Sequence, residues 1–149
     1  MRGLANVAAF VSLAWAGIAA AAPQVEFAER LAGPWGRVDI NWQPYSGALS
    51  KNTCPAAGVR MPSSVGLFGD GGTLWIEAGP GGSLRVHDGG TLPRTYLFVR
   101  METASSGIYL DGTAEKRLAL AGLDRLSEEP SPPVAGVPGT KYLRCKIRK

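Results

Sequence analysis

The chain has 149 residues, 45% of them hydrophobic, with 16 basic and 12 acidic side chains, one histidine and two cysteines. A net charge of +4 is too small for a nucleic-acid footprint, and one histidine with two distant cysteines lacks the ligand spacings of a zinc site. The elements are read below from the N-terminus.

Met1 and Arg2 precede an apolar run from Val7 to Ala20, and Ala19 and Ala21 supply the small residues of a cleavage site. This is the layout of a secretory signal peptide. It divides the chain into a leader, residues 1–21, and a single domain, residues 22–149, long enough for one hydrophobic core but not two. The apolar run is shorter than the roughly 20 residues a bilayer crossing needs, and no later segment is as long or as apolar. The mature product is therefore expected in the periplasm or outside the cell, without a transmembrane segment. In such a compartment Cys54 and Cys145 are expected to form a disulfide. The bridge would close a loop of 91 residues and stabilise the fold by roughly 4 to 5 kcal/mol on a chain-entropy account.

Val25, Phe27, Ala28 and Leu31 recur on one side of a helical turn, which predicts a short helix over Gln24–Leu31 that stops near Gly33-Pro34. The period then changes to two, with Val38, Ile40 and Trp42 alternating with Arg37, Asp39 and Asn41, so the first strand is expected over Arg37–Trp42. Gln43–Ser64 has no sustained period and reads as a long loop. Further strands are expected over Val65–Phe68, Thr73–Glu77, Ser83–His87, Thr95–Glu102, Gly107–Leu110, Arg117–Ala121 and Lys141–Ile147. The short connections make them antiparallel. GGTL, GGSL and GGTL at Gly71, Gly81 and Gly89, with Asp-Gly at Asp70, Asp88 and Asp111, supply the turn chemistry of a meander. Glu128–Thr140, with four prolines and two glycines, reads as a rigid surface loop.

Alternation divides the hairpin after Thr73 into two faces. Leu74, Ile76, Leu84 and Val86 form the aliphatic one, and Trp75, Glu77, Arg85 and His87 gather on the other. With Glu77 set opposite Ser83, Trp75 falls opposite Arg85, at cation–π distance. The second face is the candidate binding face, its rival reading being a sheet face that simply meets water. Elsewhere Leu97, Val99 and Met101 alternate with Tyr96, Phe98 and Arg100, and Leu143, Cys145 and Ile147 share an apolar side opposite Tyr142 and Arg144. The last nine residues carry Lys141, Arg144, Lys146, Arg148 and Lys149 without an acid, a run suited to weak contact with an anionic surface or to a solvated edge strand.

No catalytic constellation emerges. His87 and Asp88 are adjacent on a strand and point to opposite faces, so they cannot orient a serine. There is no Gly-x-Ser-x-Gly, phosphate loop or dinucleotide fingerprint. The expectation is a non-catalytic protein with no cofactor and no metal. The fold class is all-β, a single antiparallel up-and-down barrel or strongly curved sheet of about eight strands with a short N-terminal helix.

A short helix, the run Leu31-Ala32-Gly33-Pro34-Trp35, a strand directly after it, a meander of about eight strands and an arginine in the last one resemble the calycin group, meaning lipocalins and bacterial lipocalin-like inhibitors. The resemblance implies that Trp35 closes one end of the barrel and that Arg144 packs over it. A late cysteine bridged to an early loop is also similar to that group. The chain departs from it in lacking a second helix, a longer length and the other short lipocalin motifs. The resemblance implies an exported binding protein holding a small apolar or amphipathic ligand. The alternatives are an inhibitor or interaction module acting on an extracytoplasmic hydrolase such as a protease or lysozyme, and a structural envelope protein without ligand.

Overall fold

The structure is a computed structural model, described over residues 20–43, 73–88 and 92–145. Helix α1, Pro23–Leu31, begins on a proline whose fixed φ suits the first helical position and whose missing N–H has no helical partner there. Glu26 lies in its first turn and Arg30 in its last, each matched to the helix dipole. Phe27, Ala28 and Leu31 form its buried side.

Among the described residues eight antiparallel strands close into an up-and-down barrel in chain order. They are β1 Gly33–Val38, β2 Thr73–Ala78, β3 Leu84–His87, β4 Arg94–Thr103, β5 Ser106–Asp111, β6 Ala114–Ala121, β7 Arg125–Pro130 and β8 Thr140–Arg144. Pairing of β1 with β8, Trp35 opposite Arg144 and Arg37 opposite Tyr142, completes the circle and leaves no free edge among them. Helix α1 lies across the end where β1 starts. Strands β1, β3, β5 and β7 end at the opposite, open end.

Four departures from the sequence reading have local causes. The first strand begins at Gly33, not Arg37, and stops at Val38 because the Asp39 carboxylate accepts the backbone N–H groups of Asn41 and Gln43, at 2.8 and 2.9 Å. Trp42, with φ +63°, then turns the chain back. In the β2–β3 hairpin the faces are as expected but the register is two residues further along, with Trp75 opposite His87 and Glu77 opposite Arg85. Pro80 opens a single 3₁₀ turn over Pro80–Gly82, and the positive φ of Gly81 and Gly82 lets it close tightly enough for Gly79 to pair with Ser83.

The third departure is β7, which the sequence reading placed partly in the proline-rich loop. Its sequence RLSEEP hides the alternation because the inward positions are Leu126, Glu128 and Pro130. The fourth is a change of phase. A bulge between Phe98 and Arg100 puts Tyr96, Phe98 and Met101 on the inner side, while Leu97 faces out and is 55% exposed. Tyr142 and Arg144 likewise share the inner face of β8 with Trp35 of β1 at the neighbouring rungs, and Leu143 does not. The expected strand Val65–Phe68 and Cys54 lie outside the described residues, and with them the expected bridge. Cys145 is buried just beyond β8.

The core is one cluster of α1 and inward strand residues, with Phe27, Leu31, Trp35, Ile76, Leu84 and Tyr109 all essentially sealed from solvent. The rings pack together: Phe98 meets Tyr109 edge to face at 5.7 Å, and Phe27 lies 6.4 Å from the same ring. The lower barrel is thereby filled.

Candidate functional site

At the closed end, α1 delivers its last carbonyls to the barrel rim. Trp35 is 0% exposed and its indole N–H donates to the Leu31 carbonyl at 2.9 Å, tying the first rung of the barrel to the helix above it. The Arg144 guanidinium lies 4.2 Å from the Trp35 ring centre. It also donates to the carbonyls of Leu123 at 2.8 Å and Ala32 at 2.9 Å, and to that of Arg30. Carbonyls at a helix end lack intrahelical partners, and one side chain here supplies them. Gly33 is needed for this approach: its φ of +117° is a left-handed value, and a Cβ would lie 3.3 Å from Arg144 Nη1. Burial pulls the Arg144 guanidinium below its ordinary value, opposed by the charge of Asp124.

The open end is built differently. Inward positions of β4, β5, β6 and β7 hold Arg94, Tyr96, Asp111, Lys116 and Glu128, joined by Asp88 after β3. Arg94 donates to Asp111 and to Asp88, each at 2.6 Å. Lys116 donates to Glu128 at 2.9 Å and lies 2.9 Å from Asp111 Oδ2. The Tyr96 hydroxyl sits between the two halves, accepting from Lys116 at 3.2 Å and from Arg94 at 3.3 Å. Both cations also lie over its ring, at 5.2 and 5.5 Å.

Two groups of this cluster are held in their protonated forms. Burial alone would lower the Lys116 ammonium, but its hydrogen bonds to Asp111 and Glu128 outweigh that and hold it above the ordinary lysine value. Burial, reinforced by Glu128 and partly offset by Lys116, pushes the Tyr96 phenol up to about 12. Tyr142 and Tyr109 are likewise raised by burial.

None of these open-end residues was a candidate from sequence. Tyr96 and Asp111 sit at positions read as the wet side of a strand, Arg94 and Lys116 lie just before the expected strands, and Asp88 and Glu128 fall in an expected turn and loop; only the closure of the barrel brings them inside. A charged residue at the same phase on β5, β6 and β7 was the available signal.

The face gathered by Trp75, Glu77, Arg85 and His87 forms on the outer wall. His87 Nε2 lies 2.9 Å from Glu77 Oε2, and Arg85 is 3.9 Å from the same oxygen. Arg85 thus stands opposite Glu77, not Trp75 as expected. The basic C-terminal run is corrected at one position. Arg144 is committed to the closed end, while Lys141 points outward, donates to the Ile40 carbonyl at 2.9 Å and lies 4.8 Å from the Trp42 ring centre. Lys146, Arg148 and Lys149 lie outside the described residues.

Several clefts mark the surface of the described residues. One of about 640 Å³ runs beside the closed end and includes Leu120, Leu123, Leu143 and Arg144. One of about 440 Å³ follows the β2–β3 turn, with Glu77 and Arg85. The third, about 270 Å³, lies at the open end between Lys116, Glu128 and the loop residues Val137 and Pro138. No helix of the described residues is long and apolar enough to cross a membrane. Compared with family models, characterised proteins and solved structures, the chain matches none of them.

Proposed function

We propose that this chain is an exported interaction module on a lipocalin-like barrel, of the inhibitor type, acting on an extracytoplasmic hydrolase through its surface. The carrying observation is the occupancy of the barrel. Its lower half is filled by rings and aliphatic side chains, with Trp35, Phe27 and Tyr109 at 0–1% exposure. Its upper half is crossed by the Arg94, Asp111, Lys116 and Glu128 network. A cup for an apolar ligand needs upwards of about 300 Å³ of apolar space, and inserting one here would break ion pairs and displace packed rings. The calycin reading draws support from the Trp35–Arg144 closure, and the leader, export and Cys54–Cys145 bridge belong to the same proposal.

A second reading rests on the closed-end cleft of about 640 Å³, mostly apolar and large enough for a small amphipathic ligand outside the barrel. The two are separated by titrating the protein with a fatty acid while following tryptophan fluorescence, and by pull-down of hydrolases from an envelope fraction. The interaction reading expects no saturable lipid binding at micromolar protein and a co-purifying hydrolase. One-to-one lipid binding abolished by Leu123→Glu would replace it with the second reading.

A further inference from the structure

We infer that the outer wall where the chain doubles back after β1 is the contact surface of this module, and that Arg37, Trp42, Arg125 and Lys141 there receive a carboxylate from an acidic, apolar-rimmed face of a protein partner. The inference rests on the interaction reading above and supplies its contact residues and the partner's chemistry.

The first observation is the convergence of like charges on one ring. The Arg125 guanidinium lies 5.3 Å and the Lys141 ammonium 4.8 Å from the centre of the Trp42 indole. The two cations stand on neighbouring strands, Arg125 opposite Leu143 and Lys141 opposite Ser127, and they repel each other. The ring face offsets part of that repulsion and neutralises none of the charge. Elsewhere on the barrel cations are answered by carboxylates: Arg94 by Asp88 and Asp111, Lys116 by Asp111 and Glu128, and Arg117 by Glu102 and Glu129. Among the described residues Arg37, Arg125 and Lys141 have no such partner.

The second is how Trp42 is held. Its φ of +63° is a value that bulky side chains rarely adopt. The turn imposes it: the Asp39 carboxylate accepts the N–H groups of Asn41 and Gln43, the Asp39 N–H donates to the Gln43 carbonyl at 2.9 Å, and the Trp42 N–H donates to the Asp39 carbonyl at 3.1 Å. Lys141 fixes the turn to β8 through the Ile40 carbonyl. Backbone strain of this kind persists only where the surroundings over-determine it, and it gathers at ligand clamps. A platform already held in one shape loses less conformational entropy on binding. The same bonds engage the Asp39 carboxylate with its own turn.

Shape and surroundings identify the occupant. A recess of about 110 Å³ lies between Arg37 and Lys141, bordered by Asp39, Ile40, Pro138 and Thr140. At roughly 30 Å³ per water this is room for one carboxylate and the methylene that carries it. Its rim is apolar, with Ile40 67% exposed and Val137, next to Pro138, 51% exposed. An acidic side chain projecting from an apolar protein face meets both features, cations within and aliphatic surface around. A free phosphate would leave the rim in water, and a bilayer presents its head groups as a flat sheet that does not enter a recess. Contact is by charge and shape alone, and no bond is made or broken.

The test titrates the mature chain, by calorimetry, with a capped peptide of alternating glutamate and leucine. The matching peptide of glutamine and leucine, inorganic phosphate and phosphatidylglycerol vesicles are run beside it. Saturable binding of the acidic peptide alone, weakening as salt is raised, is expected. Arg125→Gln and Lys141→Gln should each weaken it about two- to fivefold, the range of an exposed ion pair. Trp42→Leu, which leaves both cations without their platform, should act in the same direction. Arg100→Gln, which removes the same charge from β4, should leave binding unchanged, with unaltered thermal unfolding showing that each variant is folded. Equal binding of the glutamine peptide, an Arg100→Gln effect as large as the others, or binding of phosphate or vesicles in place of the peptide overturns the inference. No peptide binding, with a hydrolase still captured by the Arg125→Gln, Lys141→Gln protein, sinks the inference and leaves the interaction reading standing; neither peptide binding nor capture sinks both.

Discussion

The two ends of the barrel solve the same problem with opposite materials. At the closed end one aromatic and one guanidinium are enough, because α1 brings carbonyls within reach of Arg144 and a ring beneath it. At the open end, among the described residues, the inside is closed by a lattice of side chains from four strands and the β3 end, with both signs of charge in contact. The closed end concentrates its contacts in one pair of side chains, whereas the open end spreads them over several.

The largest effect should come from emptying the closed end. Trp35→Ala removes a fully buried ring and is expected to reduce unfolding free energy by about 3–5 kcal/mol in urea titration. A loss below about 1 kcal/mol would show that the helix, not the ring, closes the barrel. Reducing the proposed Cys54–Cys145 bridge should follow, at about 2–5 kcal/mol, read as a fall in melting temperature with dithiothreitol.

High pH sharpens the contrast. Tyr96 has its folded value raised to about 12 from an ordinary 10, so it contributes stability that is fully present below about 10 and lost as pH rises through 12, of the order of 2–3 kcal/mol. Ultraviolet titration should therefore show Tyr96 resisting ionisation until the barrel opens, and phenolate formation near 10 without unfolding would contradict its burial. Lys116→Met should cost about 1–3 kcal/mol, and Lys116→Met with Glu128→Leu distinctly less than the single change, since the stranded carboxylate is then gone. Equal losses in both would mean the network is packing alone. Val137→Asn in the open-end loop should change stability by no more than about 0.5 kcal/mol.

The fold was largely legible because two-residue alternation and turn residues determine an antiparallel meander with few competing solutions. Leu74, Ile76, Leu84 and Val86 were assigned to one face correctly, and they do face inward. Hydropathy failed where the barrel is narrow and its inside is partly polar. Tyr96 and Glu128 occupy interior rungs, whereas the more apolar Leu97 stands outside. Trp35 and Arg144 were named together through the resemblance, and the structure does bring the guanidinium over the ring. Asp111, Lys116 and Glu128 were not: each is an ordinary surface residue until pairing across three strands places them together.

Arg144 also sets a time order. The contacts that finish the barrel join residues 30, 32 and 35 to a side chain more than a hundred positions later. Long-range pairings of this kind are slow to form and come last. A growing chain cannot make them until residue 144 has emerged, so the barrel cannot be completed before then. A single guanidinium thus couples the helix and the first strand to the last strand.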